Sequence, residues 1–156
     1  MRAADIMTRR LVTAAPDTAV SAIAKLMLAN RIGAVPVVDD QSHVVGIISE
    51  YDLLKRPPAD SPRAWWLRLF KDDVACLEEI ASARDLKARD VMVRRVTMVS
   101  DTAPISVVAS MMARHRLRHM PVLHDGKIVG IISRGDLLDG FVRQYREEAP
   151  APAPSD

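Results

Sequence analysis

The sequence predicts an α/β (α+β) fold made of two pseudo-symmetric β-α-β-β-α repeats with a helical insert between them. Three observations carry this prediction. The phrase VGIISEYDLL at Val45 returns as VGIISRGDLL at Val129. The matching extends outward in the same order: DIMTRRLVT at Asp5 aligns with DVMVRRVT at Asp90, and PDTAVSAIAKLMLANRIGAVPVV aligns with SDTAPISVVASMMARHRLRHMPVL. The offset holds at 85 residues from Asp5 to Asp90 and 84 from Val45 to Val129, with slips only where turns are expected. Within each copy, one run of helical period is followed by two short β-branched runs, as a helix and a hairpin require.

Taken in order, each copy opens on an extended entry segment. Asp17-Thr18 and Asp101-Thr102 then read as helix starts. Val20, Ile23, Ala24, Met27 and Leu28 follow at helical spacing in the first copy, and Ile105, Val108, Ala109 and Met112 in the second. AVPVVDD with VVGIIS, and MPVLHDG with IVGIIS, read as hairpins, in which Pro36 and Pro121 begin apolar runs and Gly46 and Gly130 admit a close neighbour. A second helix opens at each Ser-x-x-Asp. The joint between the copies predicts an amphipathic helix starting at Ser61-Pro62, with Trp66, Leu69, Phe70, Val74, Leu77, Ile80 and Ala81 on one face. The division is 3–56 for the first repeat, 57–86 for the helical insert, 87–141 for the second repeat and 142–156 for a flexible Pro/Ala tail.

Composition limits the functions available. A chain of 156 residues, 49% apolar, buries most of the surface of one compact fold. A net charge of +2 is too weak to indicate nucleic-acid binding by itself. Cys76 is the single cysteine, so there is no internal disulfide, and packing is the expected role of its thiol. MRAADIM has neither a signal-peptide core nor a membrane span, so a cytoplasmic protein is expected. His115 and His119 stand four apart across a helix-to-strand junction without further ligands, so no metal site is expected. No phosphate loop, serine elbow or catalytic set is present, and the expectation is that the chain is not an enzyme.

Chemistry concentrates at the strand-to-helix junctions. Ser49 and Asp52, and their counterparts Ser133 and Asp136, place a hydroxyl and a carboxylate at a helix start, where backbone N–H groups and the helix dipole favour phosphate. The acid can accept the two vicinal hydroxyls of a ribose. The same spacing is also that of a capping box, in which serine and acid serve only the helix. The repeats differ most just before the prolines: RLRHMPV supplies Arg116, Arg118 and His119, whereas RIGAVPV has Gly33 and Ala34 in place of Arg118 and His119. These bases suit phosphate or, alternatively, a charged strand edge that discourages aggregation. Thr13 and Thr97, closing the two entry motifs, are further ligand candidates, and Arg9-Arg10 and Arg94-Arg95 are of second rank.

The repeated entry motif, the VPVVD and MPVLHDG hairpins and the GIISxxDLL ending resemble a tandem cystathionine-β-synthase (CBS) domain pair, a Bateman-type module. The resemblance covers about Ala3 to Arg56 and Lys87 to Phe141. It implies two halves packed through their sheets, an adenine nucleotide (AMP, ADP or ATP) as regulatory ligand and an unknown effector protein, while the apolar helix faces that a two-repeat module leaves, with the Trp65-Trp66 helix adding more, predict a homodimer. It pairs Asp52 and Ser49 of one repeat with Arg118 and His119 of the other. Nucleic acid is not an expected partner, and a membrane is one only if a further domain is missing from this sequence. The alternative is a non-catalytic dimerisation scaffold with empty clefts.

Overall fold

The computed structural model describes residues 1–55 and 86–148. The expected insert helix, its tryptophans, Cys76 and the last residues of the tail lie outside the described residues. Within them the elements run α1 (Ala3–Ile6), α2 (Val20–Asn30), β1 (Ala34–Val38), β2 (Val44–Ser49), α3 (Glu50–Lys55), α4 (Ala88–Val91), β3 (Val99–Ser100), α5 (Ile105–Arg114), β4 (His119–His124), β5 (Lys127–Ser133) and α6 (Arg134–Glu148). The mixed α/β class and the two repeats are as the sequence predicts.

The compact units are not simple stretches of chain. Val12–Val96 form one, the N-terminal unit, and Met1–Leu11 with Thr97–Asp156 form the other, the C-terminal unit. Each repeat has given its entry segment to the other: α1 packs with the second repeat and α4 with the first. The entry motif DIMTRRLVT is itself divided, because Asp5 to Leu11 belong to one unit and Val12 and Thr13 to the other.

The reason lies in backbone groups that each unit leaves open. Helices α2 and α5 begin at Val20 and Ile105, later than the expected starts at Asp17-Thr18 and Asp101-Thr102, and no side chain caps either. Those aspartates are engaged elsewhere: the Asp17 carboxylate pairs with Arg89, and that of Asp101 meets Nδ1 of His124 at 2.9 Å. The first-turn donors go instead to the exchanged segments. Val20 N–H donates to Leu86 O at 2.9 Å, and Ile105 N–H to Met1 O at 3.2 Å. Ala88 N–H reaches Thr18 O and Ala3 N–H reaches Ala103 O, both at 2.8 Å. Further along, Ile47 and Val93 exchange two backbone bonds, and Thr8 and Ile131 do the same. The segments thus pair on the outer sides of β2 and β5.

In the N-terminal unit β1 and β2 are antiparallel, with Ala34 opposite Ser49, and Ala14 bridges Val37 in parallel. In the C-terminal unit β4 and β5 are antiparallel, with His119 opposite Ser133, and β3 adds a parallel strand at Val99 and Val122. Asp125-Gly126 closes the second hairpin with both residues at positive φ (48° and 78°), the geometry an Asp-Gly turn supplies without strain at the glycine. In the first hairpin, Asp39 accepts from the N–H of His43 and of Gln41. The bond from His43 N–H foremost, with those from Gln41 N–H and the His43 ring, holds its carboxyl below its ordinary pKa against the opposing effect of desolvation. A depressed folded-state value means this contribution is present at neutral pH and is lost as pH falls through it. Pro36 and Pro121 stand inside β1 and β4, buried opposite Ile47 and Ile131, and not at their starts.

Each unit has its own core. Val20, Ile23, Val35, Val37 and Ile48 centre one, and Val108, Met120, Val122 and Ile132 the other. Leu28, expected on the buried face of α2, is 49% exposed, because it lies one position around from the Val20, Ile23 and Met27 stripe that meets the sheet. Both helices close with an arginine in the left-handed region, Arg31 and Arg116, each at φ 53°. The bonds Ile32 N–H to Met27 O and Leu117 N–H to Met112 O complete a Schellman closure in each.

The exchanged segments also supply side chains to these cores. A Cβ on Gly46 would lie 2.7 Å from Cγ of Met92, and one on Gly130 2.8 Å from Cγ of Met7. Neither methionine yields merely by turning its far end, since its own Cβ is also close, at 3.0 Å in both cases. We expect Gly130→Ala to cost ~1 to 3 kcal/mol by overpacking. Added to Met7→Ala, the same change should cost much less, a coupling measured by urea unfolding of the two single variants and the double. Equal cost of Gly130→Ala in both backgrounds would show that Met7 is not what the glycine accommodates.

Candidate functional site

The two Ser-x-x-Asp junctions have the same construction. Ser49 N–H and Oγ–H both donate to Asp52 Oδ2, at 2.8 and 2.7 Å, and Asp52 N–H donates back to Ser49 Oγ at 3.4 Å. At the other junction Ser133 N–H and Oγ–H donate to Asp136 Oδ2, each at 2.7 Å, and Asp136 N–H returns to Ser133 Oγ at 3.2 Å. The capping box is therefore formed in both units. It does not exhaust the acid. All these bonds fall on Oδ2, so in each aspartate Oδ1 accepts no bond from the described residues, while the cap fixes the carboxylate rotamer. The side chains are half-buried. A fixed carboxylate with one oxygen to spare can accept the vicinal hydroxyls of a ribose, so cap and ligand contact are compatible roles.

The backbone contributes less than the sequence leads one to expect. The N–H of Ser133 goes to Asp136, that of Arg134 to Arg118 O at 3.1 Å, and that of Asp136 to Ser133 Oγ. In the N-terminal unit the N–H of Ser49, Glu50 and Asp52 are similarly taken, Glu50 by Gly33 O at 3.0 Å. Most of the backbone donors expected to face a phosphate are thus already bonded within the fold.

The candidates group by unit. Thr13, Ser49 and Asp52 belong to the N-terminal unit, where Ala34 stands opposite Ser49 in the ladder and Gly33 O accepts the N–H of Glu50. Thr97, Arg118, His119, Ser133 and Asp136 belong to the C-terminal unit, in which His119 stands directly opposite Ser133 in the ladder. Thr13 and Thr97 are half-buried, one beside Ala14 and the other two residues before β3. Arg9 and Arg94 each turn back to a carbonyl of their own entry segment, Ala4 O and Arg89 O, while Arg10 and Arg95 are exposed.

Sequence reasoning passed over Arg134. It replaces Glu50 of the first repeat, and its Nε donates to Leu117 O at 2.8 Å, drawing the guanidinium against the loop that carries Arg116 and Arg118. The signal was visible as the drift from Glu-Tyr to Arg-Gly inside the repeated phrase.

Two capped Ser-x-x-Asp junctions on two copies of one α/β unit match a known family pattern, and the CBS domain family model covers residues 3–58 and 88–143. The chain belongs to the CBS-domain family. An uncharacterized protein of Methanocaldococcus jannaschii is 28% identical over 152 residues, covering 88% of this chain and 89% of that one. Among solved structures, the CBS domain of a CBS-domain-containing membrane protein from Sphaerobacter thermophilus superimposes with a TM-score of 0.73 at 34% identity, covering 89% of this chain and 86% of that one. CBSX2, solved in complex with AMP, gives a TM-score of 0.71 at 26% identity, covering 93% of this chain and 98% of that one. No helix among the described residues is long and apolar enough to cross a membrane.

Proposed function

We propose that this CBS pair is a regulatory module that binds an adenine nucleotide, AMP, ADP or ATP, and transmits its occupancy through a homodimer or an effector protein in the cytoplasm. The observation that carries the reading is the capped aspartate whose second oxygen accepts no bond from the described residues, present in both repeats. The AMP complex of CBSX2 supports the adenosyl class. In this reading Asp52 and Asp136 accept ribose hydroxyls, assisted by Ser49 and Ser133. Arg118 and His119 meet phosphate, and Thr13 and Thr97 are secondary contacts. The family resemblance assigns Arg118 and His119 to the nucleotide held by Asp52.

A nucleotide at a hundred times its dissociation constant stabilises the native state by ~2.7 kcal/mol, which raises Tm by roughly 5 to 10 °C for a chain of this size. A melting curve with millimolar AMP, ADP or ATP is expected to show that rise. No shift with any of them would leave the scaffold reading. By calorimetric titration, Asp52→Ala and Arg118→Ala should each weaken AMP by ~1 to 3 kcal/mol. Their effects should be non-additive, and Asp136→Ala should weaken AMP less. Loss of binding in Asp136→Ala with Asp52→Ala intact would move the principal site to the other acid.

The homodimer rests on α6. Its inner face packs Gly140 against Ile6 and Ile105, where a Cβ would lie within 2.8 Å of either. Its outer face carries a second apolar stripe, Leu138, Phe141, Val142 and Tyr145, with Leu138 67% and Tyr145 77% exposed. A helix that is apolar on opposite sides is built to be packed on both. Light scattering on a sizing column should report twice the 17.2 kDa chain mass at micromolar concentration, and Leu138→Asp with Tyr145→Asp should halve it. A wild-type monomer across that range would contradict the dimer.

A further inference from the structure

The two units share a backbone and differ in charge beside the strand-to-helix junction. Arg134 N–H donates to Arg118 O where Glu50 N–H donates to Gly33 O, and Arg116 and Arg31 hold the same left-handed conformation. On this common frame the C-terminal unit carries Arg114, Arg116, Arg118 and Arg134, and the N-terminal unit carries Ala29, Arg31, Gly33 and Glu50. Four positive charges stand against one positive and one negative, which cancel. All four arginines are exposed, and none is ion-paired with a carboxylate among the described residues. Ion pairs to a carboxylate are made by Arg89, with Asp17, and by Arg143, with Asp139.

Arg134 is also held in place. With Nε bonded to Leu117 O, its terminal nitrogens are kept beside the loop bearing Arg116 and Arg118. Like charges carried on one short loop and on the helix start bonded to it repel one another, and an anion of several charges relieves that repulsion as it binds. A guanidinium fork suits phosphate oxygens in particular. With the N–H groups of Ser133, Arg134 and Asp136 already bonded, the side chains are what this part of the C-terminal unit has to offer a phosphate.

We infer that Arg114, Arg116 and Arg134 extend the phosphate contact of Arg118 into a polyphosphate-selective patch, so that the nucleotide this protein prefers carries two or three phosphates and not one. This rests on the adenine-nucleotide reading above. Arg116 and Arg134 act as specificity-determining residues and are expected to leave the adenosine moiety untouched.

The test is calorimetric titration of the full chain with adenosine, AMP, ADP and ATP, without divalent cations, for wild type, Arg116→Asn and Arg134→Gln. Asparagine tolerates the left-handed backbone at position 116, and unchanged ligand-free melting curves establish that both variants are folded. Affinity should rise from AMP to ADP to ATP, with ATP ~10-fold or more tighter than AMP, the scale of one charge-assisted hydrogen bond. Each variant should reduce that ratio several-fold while adenosine binding stays as in wild type. Equal affinity for AMP and ATP, or a ratio that both variants leave unaltered, overturns the inference while the adenine-nucleotide reading stands. Absence of binding by all four compounds overturns that reading and the inference with it.

Discussion

Met92 lies over Gly46 and Met7 over Gly130 because each repeat lends its entry segment to the other, and the rest of the fold depends on that exchange. Without it, α2 and α5 would start with uncapped donors, since Ala19 and Pro104 offer no side-chain oxygen. The outer edges of β2 and β5 would likewise lose the bonds made by Val93 and Thr8. Two sheets this small cannot bury enough by themselves. The borrowed methionines and the single turns of helix carrying Ala3, Ile6, Ala88 and Val91 complete the two cores. A glycine at positions 46 and 130 is the condition for their approach.

The same economy of backbone shapes the ligand chemistry. Asp5, Asp90, Asp52 and Asp136 all accept an N–H from three residues earlier, so one local device starts four helices. At Asp52 and Asp136 the device also holds a carboxylate oxygen ready for an outside donor. Function is then differentiated by what surrounds the junction. Arginines border the junction at Ser133, and Gly33, Ala34 and Glu50 border the one at Ser49, on matching backbones. A duplicated frame with a few exchanged side chains thus presents two chemically different junctions.

Much of this was legible in residue spacing. The repeat, the hairpins, the helical stripes and the junction at each serine all follow from periodicity that local physics enforces. The exchange of entry segments was not, because it is a choice of partner between two nearly identical surfaces, and DIMTRRLVT and DVMVRRVT carry no local mark of which repeat they join. The helix starts were misplaced for a related reason: Asp17 and Asp101 are good caps by type, but Arg89 and His124, distant in sequence, hold their carboxylates. The spent backbone donors and the tether of Arg134 to Leu117 also depend on tertiary contacts that one repeat read alone does not reveal.

Native-state hydrogen exchange resolved by residue tests the exchange of segments most directly. Ala3 and Thr8 donate to Ala103 and Ile131, so their amides should share the protection of the second repeat. Val122→Ala, which opens a cavity in the C-terminal core, should lower the protection of Ala3 and Thr8. Val37→Ala, its counterpart in the other core, should instead lower that of Ala88 and Val93. If Ala3 and Thr8 followed Val37→Ala and ignored Val122→Ala, each entry segment would belong to its own repeat, and the exchange of segments would be contradicted.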